Sequence, residues 1–165
     1  MKVYSLMSML LAIAAACSCG TAPANSGRLS ADFKTEGFLD PNHYQVVVTG
    51  TPASGLGGLV ETRESAREDA LKKLDSAVLA SLSDYCIDNR IKALGLTGRD
   101  QVLNLPAARA ELQAGLTRFL KYGRTAFEYY NEDHSAVIVF RIEKKGLLNA
   151  IESIPVNLVA AGGKG

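Results

Sequence analysis

The chain has 165 residues, with 18 basic and 17 acidic side chains, two histidines, three cysteines and no tryptophan. That length suits one domain, and the near balance of charge argues against a nucleic-acid role, which needs a basic face to neutralise phosphates. No run of like charge along the chain suggests a polybasic membrane patch.

At the amino terminus, Lys2 is a minimal positive region and Val3 to Ala16 an apolar stretch too short to span a bilayer comfortably. It runs through Ala14-Ala15-Ala16 into Cys17-Ser18. Small residues directly before a cysteine resemble the lipobox of bacterial lipoproteins, although Ala14 stands where leucine is usual. The resemblance implies that residues 1–16 are a cleaved lipoprotein signal peptide and that Cys17 carries acyl chains that contact the membrane. Ser18, rather than aspartate, after the cysteine points by the same resemblance to the outer membrane. The alternative is an ordinary secretory signal cut after Ala14-Ala15-Ala16. Cys19 is a poorer acceptor, since Cys17 and Ser18 precede it. Without Lys2 the chain is formally neutral, so the lipid is its membrane contact. Residues 17–32, mostly Ala, Pro, Ser, Gly and Asn from Ser18 to about Ser30, read as a lipidated tether reaching about 20 Å by coil statistics. Phe33, Phe38 and Leu39 open a single domain expected over residues 33–155, with 156–165 as a flexible tail.

Asp40-Pro41-Asn42 is turn chemistry, and Tyr44 to Thr49 is a β-branched strand with Tyr44, Val46 and Val48 on one face. Gly50 to Gly58 reads as a flexible connection. One long helix then ends near Leu94. Ala70, Leu74, Ala77, Val78, Leu82 and Tyr85 form its apolar stripe, widened by Leu71, Ile87, Ile91 and Leu94. Ser65 and Glu68 fit a capping box, which puts the firm start at Ser65 with a looser turn from Thr62. Glu68–Lys72 and Asp69–Lys73 are favourable i,i+4 pairs, and Gly95 is the natural residue after the helix end.

A loop follows to Asp100, then a short extended piece from Gln101 to Leu105. Pro106 opens a second helix with Ala108, Leu112, Leu116, Phe119 and Leu120 inward, ended by Gly123. Arg124 to Tyr130 and Ala136 to Glu143 form an antiparallel hairpin; Ala136, Ile138, Phe140 and Ile142 share one face. Gly146 to Ser153 is a short closing helix stopped by Pro155. The order implies an α+β two-layer sandwich: a small, mostly antiparallel sheet with one long and one shorter helix on one face.

The glycine-rich loop is not a phosphate loop: Gly55 is followed by Leu56 and Gly57 rather than by Lys and Ser/Thr, and Val60 replaces the last dinucleotide-fingerprint glycine. His43 and His134 neighbour turns; a zinc site would need them to converge with Cys86 or Asp133. A Cys86–histidine nucleophile pair needs the fold to bring one of them to the thiol; otherwise Cys86 is a buried, inert thiol. A Cys19–Cys86 bridge is not expected from a cysteine on a tether. Tyr122, Tyr129 and Tyr130 crowd the hairpin and are expected to lie over the edge of the core with wet hydroxyls; the alternative is that one strand face, with Phe127 and Tyr129 on one side and Tyr130 on the other, stays exposed as a contact patch. No catalytic residue, cofactor or metal is assigned.

The run Gly37 to Pro52, followed by Ser65 to Leu74, resembles a pattern in small bacterial envelope lipoproteins. It is also similar to the amino-terminal domain of flagellar basal-body ring assembly proteins. The resemblance implies an α+β module for assembly or adhesion, with no catalytic residues to transfer. The leading expectation is a lipid-anchored, non-catalytic envelope domain that binds a protein partner. The second is a small-ligand-binding periplasmic lipoprotein with a deep apolar pocket between sheet and helices. The third, a Cys/His-dependent enzyme, requires His43 or His134 beside Cys86 or a carboxylate in a cleft.

Overall fold

A computed structural model describes residues 35–161. Cys17, Cys19, the signal peptide and the tether lie outside the described residues. Four antiparallel strands form one sheet in the order β1-β2-β4-β3: β1 is Gly37–Asp40, β2 His43–Gly50, β3 Gly123–Tyr130 and β4 Ala136–Glu143. Helices α1 (Leu59–Ala93), α2 (Leu105–Leu116) and α3 (Leu147–Glu152) complete an α+β fold. Strand β1 adds a fourth strand to the three read from the sequence. It folds onto β2 through Pro41-Asn42, where the Asn42 N–H donates to Asp40 Oδ1 at 2.7 Å. The same asparagine stitches in the start of α3, its Oδ1 accepting the Gly146 N–H at 2.7 Å.

Alternation along the strands sends Tyr44, Val46, Val48, Ile138, Phe140 and Ile142 toward α1, whose Leu74, Val78 and Leu82 are buried against them. The opposite sheet face also holds buried groups: Val137, Val139 and Gln45, the last accepting from Arg141 Nη2 at 2.7 Å. Leu71 and Leu94 fall outside the buried stripe. Leu71 sits one helical step off the Ala70 line, and Leu94 caps the helix end.

Gly50 is the closest approach between sheet and helix. A Cβ there would collide with the carbonyl of Ala66 and the backbone nitrogen of Ala70, two fully buried alanines. The glycine therefore does more than loosen a connection: it lets β2 and α1 meet backbone to backbone.

Helix α1 starts at Leu59, six residues before the expected Ser65. Thr62 donates both its N–H and its hydroxyl to the Gly58 carbonyl, which builds the first turn early. Ser65, already inside the helix, instead bonds the Thr62 carbonyl and accepts the Ala53 N–H, pinning the incoming loop. The carboxyl end matches its reading. Gly95 has φ +69° and donates to the Lys92 carbonyl, while Leu96 donates to that of Ile91. Both i,i+4 ion pairs are present.

The expected extended piece at Gln101–Leu105 is replaced by a 3₁₀ turn at Arg99–Gln101 and an early start of α2 at Leu105; only Val102 makes a bridge, to Ala160. Residues 156–161, expected as part of a tail, are tied down around Asn104: its Oδ1 accepts the Val159 N–H, and Leu103 N–H donates to the Val159 carbonyl. After Leu116 the second helix tightens into a 3₁₀ segment, Thr117–Tyr122, with Phe119 buried. Asp84 and Asp88, one turn apart on α1, bind Arg99 from the loop, and Asp84 also binds Arg109 from α2.

Two substitutions test this packing. Leu82→Ala should cost about 2–5 kcal/mol in urea denaturation, as expected for a fully buried leucine. Gly50→Ala should cost about 3 kcal/mol, near the upper end for overpacking. A loss below about 0.5 kcal/mol in either, the scale of a surface change, would mean that the helix does not lie on the sheet in this way.

Candidate functional groove

An open groove of about 640 Å³ lies beside the carboxyl-terminal half of α1. One wall is Tyr85, Cys86, Asn89, Arg90 and Ala93; the other is the end of α3 and the irregular segment through Asn157. The helical wall arises because α1 turns one stripe to the core and leaves Asn89 and Arg90 on its flank. The second wall arises because Pro155 cannot continue α3. Ile154, Val156 and Leu158 rest on the core, which fixes the segment without regular structure. Among the described residues, the N–H groups of Val156 and Asn157 donate to no protein acceptor.

Tyr85 closes one end. Its ring lies 4.9 Å from that of Phe38, and its hydroxyl donates to Glu152 Oε1 at 3.0 Å, joining the two walls. Cys86 is buried at the groove floor. Burial, with the negative charge of Glu152 second, pushes its thiol up to about 11. A thiol held protonated is a poor nucleophile.

The structure separates the residues that a catalytic or metal site would have joined. His43 precedes Tyr44, so strand alternation turns it to the face away from α1, where its Nδ1 lies 2.7 Å from Asp40 Oδ2. His134 sits in the β3–β4 turn with φ +65°, and its Nδ1 is enclosed without a hydrogen-bond partner among the described residues. That turn is at the Gly50 end of the sheet, where Ala66 packs, and Cys86 lies about 30 Å further along α1 at its usual rise. Asp133 is engaged by Ser135 through both its N–H and its hydroxyl. Among the described residues, no three His, Cys, Asp or Glu side chains converge as metal ligands would. Tyr122 and Tyr129 are partly exposed, while the guanidinium of Arg63 stacks 5.2 Å from the Tyr130 ring centroid.

Asn89 and Arg90 are neighbours near the carboxyl end of α1. Their role as a groove wall depends on residues 152–157 folding back from some sixty positions away. Between the sheet and α1 lie the packed side chains of the core. No protein-family model, no curated protein and no solved structure matches this chain. The groove thus combines a helical wall, an irregular wall that includes Val156 and Asn157, and polar side chains from both.

The buried thiol gives a signed pH prediction. Its folded value of about 11 exceeds an ordinary value near 9, so its contribution to stability is present below about pH 9 and is lost as pH climbs toward 11. Tyr44, pushed up to about 12 by burial, acts in the same direction. Denaturation midpoints should therefore fall through the alkaline range. At pH 8, iodoacetamide should label Cys86 much more slowly in the folded than in the urea-unfolded chain, as read by peptide mass spectrometry. Equal rates would place the thiol in solvent.

Proposed function

We propose that this chain is a lipid-anchored domain of the bacterial cell envelope, held at the outer membrane by acyl chains on Cys17, that binds a protein partner and is not itself a catalyst. The observation that carries the partner role is the open groove beside α1. Val156 and Asn157 line its irregular wall, and their N–H groups have no acceptor among the described residues, so an extended partner segment can add main-chain hydrogen bonds there. Arg90, Asn89 and Glu152 supply polar contacts for selectivity. A volume of about 640 Å³ also suits a small molecule, and that is the second reading. The openness of the groove favours the longer partner, because a small ligand there keeps much of its surface in water.

The anchor follows from the resemblance around Cys17. No helix among the described residues is long and apolar enough to cross a membrane. Several acyl chains on one cysteine hold a protein firmly where a single chain does not.

A photo-cross-linking residue at Ala93, exposed in the groove, tests both parts in intact cells. It should give a discrete protein adduct that the same residue at Glu68, on the outer side of α1, does not. In the same cells Cys17→Ala should abolish palmitate labelling and release the protein from the membrane fraction. Identical products from Ala93 and Glu68 would remove the groove as the partner site. Retained palmitate would remove Cys17 as the acceptor.

A further inference from the structure

Three cations from two segments of the chain meet at one cleft. Arg118 and Lys121 come from the 3₁₀ segment after α2, and Lys144 from the residue after β4. They surround a concavity of about 230 Å³ that Phe119, Tyr122 and Ala150 complete. The ammonium groups of Lys121 and Lys144 share one ring, lying 5.1 and 5.8 Å from the centroid of Tyr122. The Arg118 guanidinium lies 5.0 Å from that of Phe119.

None of the three is paired with a carboxylate among the described residues. The acidic group next in sequence, Glu143, is taken by Arg124 through Nη2 contacts of 2.8 and 2.9 Å. Lys144 Nζ has only a long 3.4 Å bond to the Lys145 carbonyl. The fold therefore holds three like charges around a hollow and leaves their mutual repulsion unrelieved by a fixed anion. The rings offer partial compensation, since an aromatic face attracts cations. Low-dielectric walls also concentrate the field that the charges produce in the hollow.

We propose that this cleft binds a phosphate group. A carboxylate is planar and is best met by a single guanidinium fork. A tetrahedral phosphate presents oxygens in several directions, as a guanidinium and two ammonium groups set around one hollow by two segments require. The phosphate comes either from solution or from a lipid headgroup. The second source rests on the membrane location proposed above, where a tyrosine flanked by lysines suits the interface.

Lysine footprinting of the full acylated chain tests the site. In non-ionic detergent, acetylation of Lys121 and Lys144 is followed by mass spectrometry against Lys92, an exposed lysine at the end of α1. Inorganic phosphate is compared with sodium chloride at equal ionic strength, so that screening alone does not count. Labelling of the two cleft lysines should slow about threefold when phosphate is at about twice its Kd, with Lys92 unchanged. Arg118→Gln should weaken the protection and Arg118→Lys should restore it; Arg118 is exposed, so neither change disturbs the core. The same chain is then placed in phosphatidylcholine vesicles with and without phosphatidylglycerol. Protection by free phosphate assigns a soluble ligand, and protection only in phosphatidylglycerol vesicles assigns a headgroup. No protection in either arm, or equal slowing at Lys92, overturns the proposal. Palmitate on Cys17 without protection would defeat this inference alone, and protection without palmitate would defeat only the location.

Discussion

The contact on which the rest of the structure depends is that between Gly50 and the backbone at Ala66 and Ala70. Here β2 and α1 touch with no side chain between them, and the larger residues along the same line, Leu74, Val78 and Leu82, then meet Tyr44, Val46, Ile138 and Phe140 as the two elements diverge. The contact fixes where along α1 the sheet lies. An eight-residue strand is about 27 Å long, whereas a helix of 35 residues is about 52 Å long. The helix must overhang the sheet, and the overhang still carries Cys86, Ile87 and Ile91, which need cover.

That cover is assembled from short pieces: α2, α3 and the segment that follows α3. Arg99 and Arg109 clamp the loop and α2 onto Asp84 and Asp88, and Arg99 holds Asp88 below the usual carboxylate range. Short pieces laid over one side of a long helix do not close completely. The groove beside Asn89 and Arg90 is the remaining seam, and its irregular wall follows from Pro155 ending α3 while Ile154, Val156 and Leu158 still rest on the core. The seam has a stiff helix on one side, an irregular segment on the other and the buried thiol of Cys86 among its lining residues.

Charge follows a similar logic. Read along the chain, basic and acidic residues alternate closely enough that no patch stands out. In three dimensions several of the cations are consumed by partners: Arg67 by Glu128, Lys73 by Asp69, Arg99 by Asp88 and Arg124 by Glu143. The cleft around Tyr122 gathers three that have no carboxylate partner among the described residues. Near-neutrality of the whole chain therefore coexists with a local concentration of positive charge, because pairing happens between neighbours in space.

The sequence by itself determined the features that depend on near neighbours. The 3.6-residue period of α1, its Gly95 stop, the β2 strand, the β3–β4 hairpin and the α+β class were legible because each is written in a few turns or pleats. The start of α1 was misjudged for a physical reason: Ser65 has the chemistry of a cap, but its hydroxyl is used by Ala53 and Thr62 once the loop folds back. Only the tertiary structure decided the pairing of β1 with β2, the packing role of Gly50, the anchoring of residues 156–161, and the separation of His43 and His134 from Cys86. It alone made the groove and the basic cleft, because each joins residues whose contact exists only after distant segments have met.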